Sequence, residues 1–259
     1  LAPITEQAWN EMEEQSERVI NEYRTARKIV DINGPRGIDF GAVSTGRLQV
    51  PSEQTKSGVN IGIREVSPLV EVRKPFTLNL WELDNASRNA EDLRLDPLEK
   101  AARQMASFED ECLYYGFDKT VAPGLVNASE GDPVKVKLET GPFLHELALQ
   151  VSSLRADAVE GPYALVLPAQ VWASLIGDST SYPLHLLIRE VTGRTILTHH
   201  ANKDIFLVSE RGGDFVLHLG QEIALGYENH DKEKVNLFFT ESFTYQINGP
   251  EAVRVLQPQ

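Results

Sequence analysis

Thr45-Gly-Arg-Leu-Gln-Val50, Pro51-Ser-Glu-Gln-Thr-Lys-Ser-Gly58 and Val59-Asn-Ile-Gly-Ile-Arg-Glu-Val-Ser-Pro-Leu-Val-Glu-Val72 follow one another without a break, and the fold turns on how they are read. The outer two segments carry β-branched residues and the middle one is polar. That pattern predicts two strands joined at a far tip, so residues 41–75 read as a long two-stranded arm. A lone hairpin is marginal in water. The arm therefore needs a surface to lie against, and a neighbouring copy of the chain is one candidate.

On the N-terminal side of the arm, Thr5 is a plausible N-cap with Glu6 in the first turn. Trp9, Met12, Val19, Ile20 and Tyr23 recur near helical spacing, which predicts a helix over about 5–27. Ile29 to Ile32 reads as a short extended piece stopped by Asn33-Gly34-Pro35. On the C-terminal side, Phe76 to Leu83 reads as a further strand, followed by a polar stretch to Arg94. Asp96-Pro97 is a helix start, and Leu98, Ala101, Ala102, Met105, Phe108, Cys112 and Leu113 continue one face as far as Gly116.

Beyond the turn-rich 127–133, Phe143 to Ala158 predicts a second amphipathic helix and Tyr163 to Pro168 a buried strand. Ala169 to Ile176 and Leu184 to Glu190 read as short helices around a loop at 177–183. Ile205 to Val208, Asp214 to Leu219, Ile223 to Tyr227, Val235 to Ile247 and Val253 to Leu256 read as strands of a β-rich end. The class is α+β, with no internal repeat.

The chain has 259 residues, 41% of them hydrophobic and 24% charged, an ordinary globular balance with room for one elaborate domain or two. Its formal net charge of −13 argues against a nucleic-acid partner, which would need clustered Lys and Arg. No apolar run reaches the roughly 18 residues of a membrane-spanning helix, and no signal peptide opens the chain. With one cysteine, Cys112, no intrachain disulfide can form, and the default location is the cytoplasm.

The sequence holds no recognisable catalytic set. His145-Glu146 opens like a zinc-protease motif, but Leu149 stands where a second ligand belongs. His199-His200 on a strand would face opposite ways, and no third metal ligand accompanies them. Glu109-Asp110-Glu111 reads as a solvated or subunit-facing charge cluster. Cys112 beside that run reads as structural, because neighbouring negative charge raises a thiol's pKa. Arg211-Gly-Gly-Asp214 reads as a tight turn between strands. Trp81, in Leu78-Asn-Leu-Trp-Glu-Leu-Asp84, reads as a half-buried strand tryptophan or as a stacking platform for a planar ligand.

The order of these segments resembles the encapsulins, shell proteins of bacterial and archaeal nanocompartments. The resemblance is carried by Leu1-Ala-Pro-Ile-Thr5 with Trp9, Ala26-Arg-Lys-Ile-Val-Asp31 with Asn33-Gly-Pro35, Pro75-Phe-Thr-Leu78, Trp81-Glu-Leu-Asp84, Phe108-Glu-Asp-Glu111, Glu160-Gly-Pro-Tyr163, Val208 to Phe215 and Gly226-Tyr227. It implies a tailed-phage major capsid protein-like fold and a self-assembling icosahedral shell, not an enzyme.

The implied organisation is an N-terminal helix and inward-facing cargo-docking segment at 1–40 and the extended loop at 41–75. A peripheral domain would span 76–162 and 206–259, with its spine helix near 97–115. An axial domain would span 163–205, with a pore loop at 177–183 that includes Gly177, Asp178, Ser179, Thr180, Ser181 and Tyr182. The partners implied are copies of the chain and a cargo enzyme, ferritin-like or a peroxidase, bearing a C-terminal targeting peptide. The matching peptide positions are Arg27, Asp31, Ile223 and Tyr227. Read as residues alone, Arg27 and Asp31 are also an exposed i,i+4 pair. Some members bind flavin, and Arg73, Lys74, Pro75, Trp81 and Asp84 match that site, which would hold FMN. A prophage capsid subunit, a hydrolase-like protein and a flavin-dependent ferric reductase are the alternative readings.

Overall fold

The structure is a computed structural model that describes residues 2–51, 58–90, 92–117, 123–129, 131–178, 183–194, 196–199 and 203–259. Helix α1 spans Glu6–Tyr23, and Thr5 caps it by accepting from Ala8 N. A short 3₁₀ turn at Ala26–Lys28 leads to strand β1, Asp31–Asn33. Strands β2 (Ala42–Gln49), β3 (Ile63–Pro68) and β4 (Val70–Asn79) follow. Helix α2, Leu80–Ser87, comes next, then the long α3, Asp96–Tyr115, and the single turn α4, Leu125–Ala128. The chain continues through β5 (Val134–Val136), α5 (Thr140–Ala156), β6 (Tyr163–Pro168), α6 (Ala169–Asp178), α7 (Leu184–Thr192) and β7 (Leu197–His199). It ends with β8 (Ile205–Ser209), β9 (Phe215–His230), β10 (Lys234–Ile247) and β11 (Val253–Pro258).

Among the described residues the strands form three sheets. One has the order β1-β9-β10-β4, a second the order β5-β11-β8-β6-β7, and the third is the pair β2-β3. The second sheet, under α5, α6 and α7, builds a core around Phe143, Leu147, Tyr163, Phe206 and Leu207. The first sheet packs its inner face against α1, α2 and α3 around Met12, Ile20, Leu83, Leu98, Leu237 and Phe239. Helix α3 joins the two cores: Leu98 to Ala106 belong to one, and Cys112 to Tyr114 to the other. Gly116 ends α3 at φ 84°, where a side chain would be strained.

The pair β2-β3 stands off from both cores. Leu48, Val50, Ile63 and Val66 are 54% to 66% exposed, as expected of an arm that lacks a covering surface within its own chain. It is shorter than the reading of 41–75. Leu69 N donates to Gly41 O at its base, and from Val70 the chain enters the first sheet as β4, paired with β10.

Other expectations are corrected. The first helix ends at Tyr23, four residues early, because Asp110 takes up the backbone N–H groups of Thr25 and Ala26 just beyond the Arg24 cap. The strand foreseen at Phe76 to Leu83 stops at Asn79, whose Oδ1 accepts from Trp81 N and so caps a helix. Trp81 and Asp84 thus lie on α2, and Trp81 is 70% exposed rather than half-buried in a strand. The strands foreseen at 214–219 and 223–227 are one continuous β9 with irregular register. The loop foreseen from Gly177 begins later, since α6 runs through Asp178; Ser179, Thr180, Ser181 and Tyr182 fall outside the described residues.

Candidate functional site: the groove between the first helix and strand β9

Helix α1 turns Ala8, Met12, Ser16, Val19 and Ile20 inward and leaves Glu13, Glu17 and Asn21 outward. Burial of side chains the size of Met12 and Ile20 is worth about 1.5–3 kcal/mol each, which fixes the helix on the sheet. Between the helix and β9 lies a groove of about 510 Å³. Ile20, Ile223, Leu225 and Phe239 give it an apolar lining, and Glu13, Glu17, Arg24 and Glu222 are its charged side chains.

The groove's end is held by buried polar chemistry. Asp110 accepts from Thr25 N (2.8 Å), Thr25 Oγ1 (2.6 Å) and Ala26 N (2.9 Å), and so caps the 3₁₀ turn after α1. Burial pushes its carboxyl up to about 6, against the opposing pull of those hydrogen bonds. Arg27 points inward. Its guanidinium donates to Glu109 at 2.8 and 2.6 Å, to Glu241 at 2.8 Å and to Glu222 at 2.7 Å. The Arg27 side chain is 8% exposed, those of Glu109 and Glu241 1% each, and that of Glu222 45%. One cation thus ties the turn after α1 to α3, β9 and β10.

The protonation of this cluster follows from its burial. Burial lowers the Arg27 pKa, but its hydrogen bonds to Glu109 and Glu222 outweigh it and hold the guanidinium firmly charged. Glu241 is driven well above the carboxylate range, first by burial and then by the charge of Glu109. Glu222 is pushed up by burial but held below its ordinary value by Arg27 and Arg24.

Two expectations fail here. Glu109 and Asp110 are buried, not solvated; Glu111 alone of that run faces solvent. Arg27 and Asp31 do not pair. Asp31 Oδ2 accepts from Gly213 N at 2.6 Å, in the turn between β8 and β9, and lines a separate small cavity with Lys28, Arg194 and Glu210. Of the four expected peptide positions, Ile223 lines the groove, while Tyr227 lies further along β9, half-buried, with its hydroxyl 2.6 Å from His230 Nδ1. Cys112 is buried and its thiol is pushed up to about 12, by burial first and then by Glu111, in line with a structural role.

The expected flavin positions do not converge within one chain. Trp81 lines a groove of about 740 Å³ with Asn85, Arg88, Arg94 and Lys234. Arg73 and Lys74 line another with Arg103 and Phe108, and Arg73 lies 4.2 Å above the Phe238 ring. Pro75 and Asp84 are exposed. Among the described residues no group of His, Cys, Asp and Glu could hold a metal ion, and no helix is long and apolar enough to cross a membrane.

Residues 1–244 match the Linocin_M18 family model, described as "Encapsulating protein for peroxidase". The chain is 34% identical over 254 residues to a type 1 encapsulin shell protein of Rhodococcus erythropolis, covering 98% of this chain and 96% of that one. It is 36% identical over 259 residues to one of Rhodospirillum rubrum, covering 97% and 92%. Among solved structures it matches the virus-like particle from Pyrococcus furiosus at a TM-score of 0.66 and 16% identity, over 96% and 98% of the two chains. It matches the capsid of Myoviridae phage XM1 at a TM-score of 0.57 and 13% identity, over 91% and 92%. The fold is that of phage capsid subunits.

Proposed function

The chain belongs to the encapsulin shell-protein family, and from that premise we propose that copies of it close into an icosahedral nanocompartment in the cytoplasm, with the groove between α1 and β9 receiving a C-terminal peptide of a packaged enzyme. The observation that carries the assembly is the β2-β3 arm, whose apolar residues are exposed along its length and which a second subunit would cover. The resemblance supplies the division of labour: residues 41–75 as the extended loop, 76–162 and 206–259 as the peripheral domain, and 163–205 as the axial domain with its pore loop at 177–183. Negative-stain microscopy after size exclusion tests the assembly. Uniform hollow particles are expected; a monomer under the same conditions overturns it.

For the groove, Ile223 is the contact residue we assign first. Tyr227 and Asp31 would extend the site to either side, and Arg27 acts as a positioning residue, since its guanidinium is already engaged by three carboxylates. The cargo would be a peroxidase or a ferritin-like enzyme. A fluorescent reporter carrying the C-terminal tail of such an enzyme, encoded beside the shell gene, is expected to co-purify with wild-type particles. It should be lost from particles of Ile223→Glu that still assemble. Equal retention by both refutes docking at this groove.

A second reading rests on Trp81. Its exposed indole, with Arg88, Arg94 and Lys234 along the same groove, suits a planar anionic ligand such as FMN. Yellow colour after flavin addition, lost in Trp81→Ala, is expected; colourless particles overturn this reading.

A further inference from the structure

The arm formed by β2 and β3 is joined to the body of the subunit by little. Among the described residues, one hydrogen bond runs from the body to either strand: Gln246 Nε2, on β10, donates to Ser44 O at 3.3 Å. Around that bond the root of the arm spans a groove of about 400 Å³, with Arg47, Glu65 and Ser67 on the arm and Gln246 and Asn248 beneath.

Gln246 is oriented by His218 on β9, whose Nε2 lies 3.1 Å from Gln246 Oε1. The chemistry of this chain of groups fixes its protons. Ser44 O can only accept, so Gln246 turns its NH₂ to it and its carbonyl to the ring. His218 therefore carries its proton on Nε2, and Nδ1 is the bare nitrogen. Nδ1 is buried without a hydrogen-bond partner, and so is Oγ1 of Thr244, the residue opposite His218 across the ladder.

His218 is 6% exposed. Its strand is pinned on both sides, by Asn33 of β1 and Thr244 of β10. Its cover is not. Gly220 faces the same way as His218, and a Cβ there would meet Leu69 at 2.8 Å and Phe40 O at 3.3 Å. The segments that lead into and out of the arm thus lie across this part of the sheet.

A second proton would go to Nδ1, and no carboxylate waits for it. On the surrounding elements, Asp31 of β1 is bonded to Gly213 N, and Glu222 of β9 and Glu241 of β10 are bonded to Arg27. Arg47 and Glu65 line the groove under the arm. Arg36 and Asp39 lie on the segment after β1. Of these, Arg36 is the charge that acts on the ring, and it repels a proton.

We propose that His218 is a proton-operated latch for the β2-β3 arm. Neutral, the ring holds Gln246 toward Ser44 and keeps the root of the arm down. Charged, it is a buried cation with an unmade hydrogen bond, which costs free energy until water reaches Nδ1. Water reaches it when the root lifts and the bond between Gln246 and Ser44 opens. Burial holds the pKa of His218 below its ordinary value, against the pull of the Gln246 bond and with the push of Arg36. The closed latch therefore binds fewer protons than the open one. It is firm above the ordinary histidine value of about 6.5 and weakens as pH falls from there through the lowered one. Acid thus frees the element that a neighbouring subunit would cover, and in that respect the inference rests on the assembly reading.

Hydrogen exchange of the full chain at two pH values tests this. In wild type, the amides of β2 should exchange at least about five-fold faster at about pH 5 than at about pH 7.5, after correction for the intrinsic effect of pH. His218→Gln keeps a donor toward Gln246 but takes up no proton, and its rates should change less than about two-fold. Gln246→Leu should exchange fast at both pH values. Equal rates in wild type at the two pH values overturn the latch, as does an acid response in His218→Gln as large as that of wild type. If His218→Gln does not fold, Gln246→Leu decides, because an acid response there as large as that of wild type overturns the latch as well. Particle size in the same samples separates the two readings. An acid response in a chain that stays monomeric keeps the latch and refutes the assembly, whereas hollow particles without the response refute the latch alone.

Discussion

Replacing Arg27 with Met removes the one cation shared by Glu109 and Glu241 while keeping a side chain of similar length. Both carboxylates are 1% exposed, so neither can turn to water. Breaking a buried pair in this way costs about 3–5 kcal/mol. For a chain of this size, each kcal/mol lowers the melting midpoint by about 2–4 °C, which gives a drop of roughly 6–20 °C at fixed scan rate and protein concentration. The loss should depend on pH. Glu241 is already held well above its ordinary value by burial and by Glu109. Arg27 is the charge that pulls Glu241 down, so removing it pushes Glu241 further up, and the folded variant binds a proton that the unfolded chain releases. Its stability is then greatest at low pH and falls as pH rises through the raised values. The gap to wild type should be wide near about pH 8 and narrow toward about pH 5. Adding Glu109→Gln and Glu241→Gln to Arg27→Met should recover at least half of the drop by removing the unpaired charges. A shift under about 2 °C at both pH values, or a shift of equal size at both, would refute the argument that this cluster holds α1 in place.

Other consequences follow from neighbouring residues. Asp110→Ala strips the acceptor from Thr25 N and Ala26 N and should cost about 1–3 kcal/mol, seen as faster hydrogen exchange at the end of α1. Because Asp110 is raised from 3.8 to about 6, its contribution is fullest below the unfolded value and declines as pH rises through about 6. Relative to Asp110→Asn, wild type should therefore lose up to about 3 kcal/mol between about pH 4 and 7 in denaturant titrations. Gly226→Ala would place a Cβ 2.4 Å from the Phe238 ring and should destabilise by about 1–3 kcal/mol, read as a lower melting midpoint. Cys112, buried and with its thiol pushed up to about 12, should resist a thiol-specific dye in native particles and react in denaturant; prompt labelling of native protein would contradict its placement.

Much of the architecture was legible because it follows from local signals. The arm was readable from β-branched runs around a polar tip, α3 from Asp96-Pro97 to Gly116, and β6 from an unbroken apolar run. The misses have physical causes. Asn79 caps α2 within a stretch of strand-like composition, and an Asn two residues before an exposed Trp carries little weight against Phe76, Leu78 and Leu80. The burial of Glu109 and Asp110 was hidden by their chemistry, since acidic residues on a helix are ordinarily solvated. Position held the missed signal. Glu109 falls four residues after Met105 and Asp110 four after Ala106, on the face that Leu113 continues. Periodicity therefore places both inside and demands partners, and Thr25, Ala26 and Arg27 are the groups that answer.

That answer changes what Arg27 does. Matched by position it would be a contact for the docked peptide; in the fold its guanidinium is occupied by Glu109, Glu222 and Glu241. A cation so engaged cannot fix the register of a second chain without giving up a buried partner, which would cost more than a half-exposed contact returns. Its effect on docking therefore runs through shape: it sets where α1 ends, and so the width of the groove between Ile20 and Ile223. Among the groove's charged groups Glu13 and Glu17 are exposed, and these are what a partner would meet first. Substitutions at Arg27 should therefore weaken docking in proportion to their effect on the exchange of α1 amides, whereas substitutions at Glu13 and Glu17 should weaken docking with that exchange unchanged.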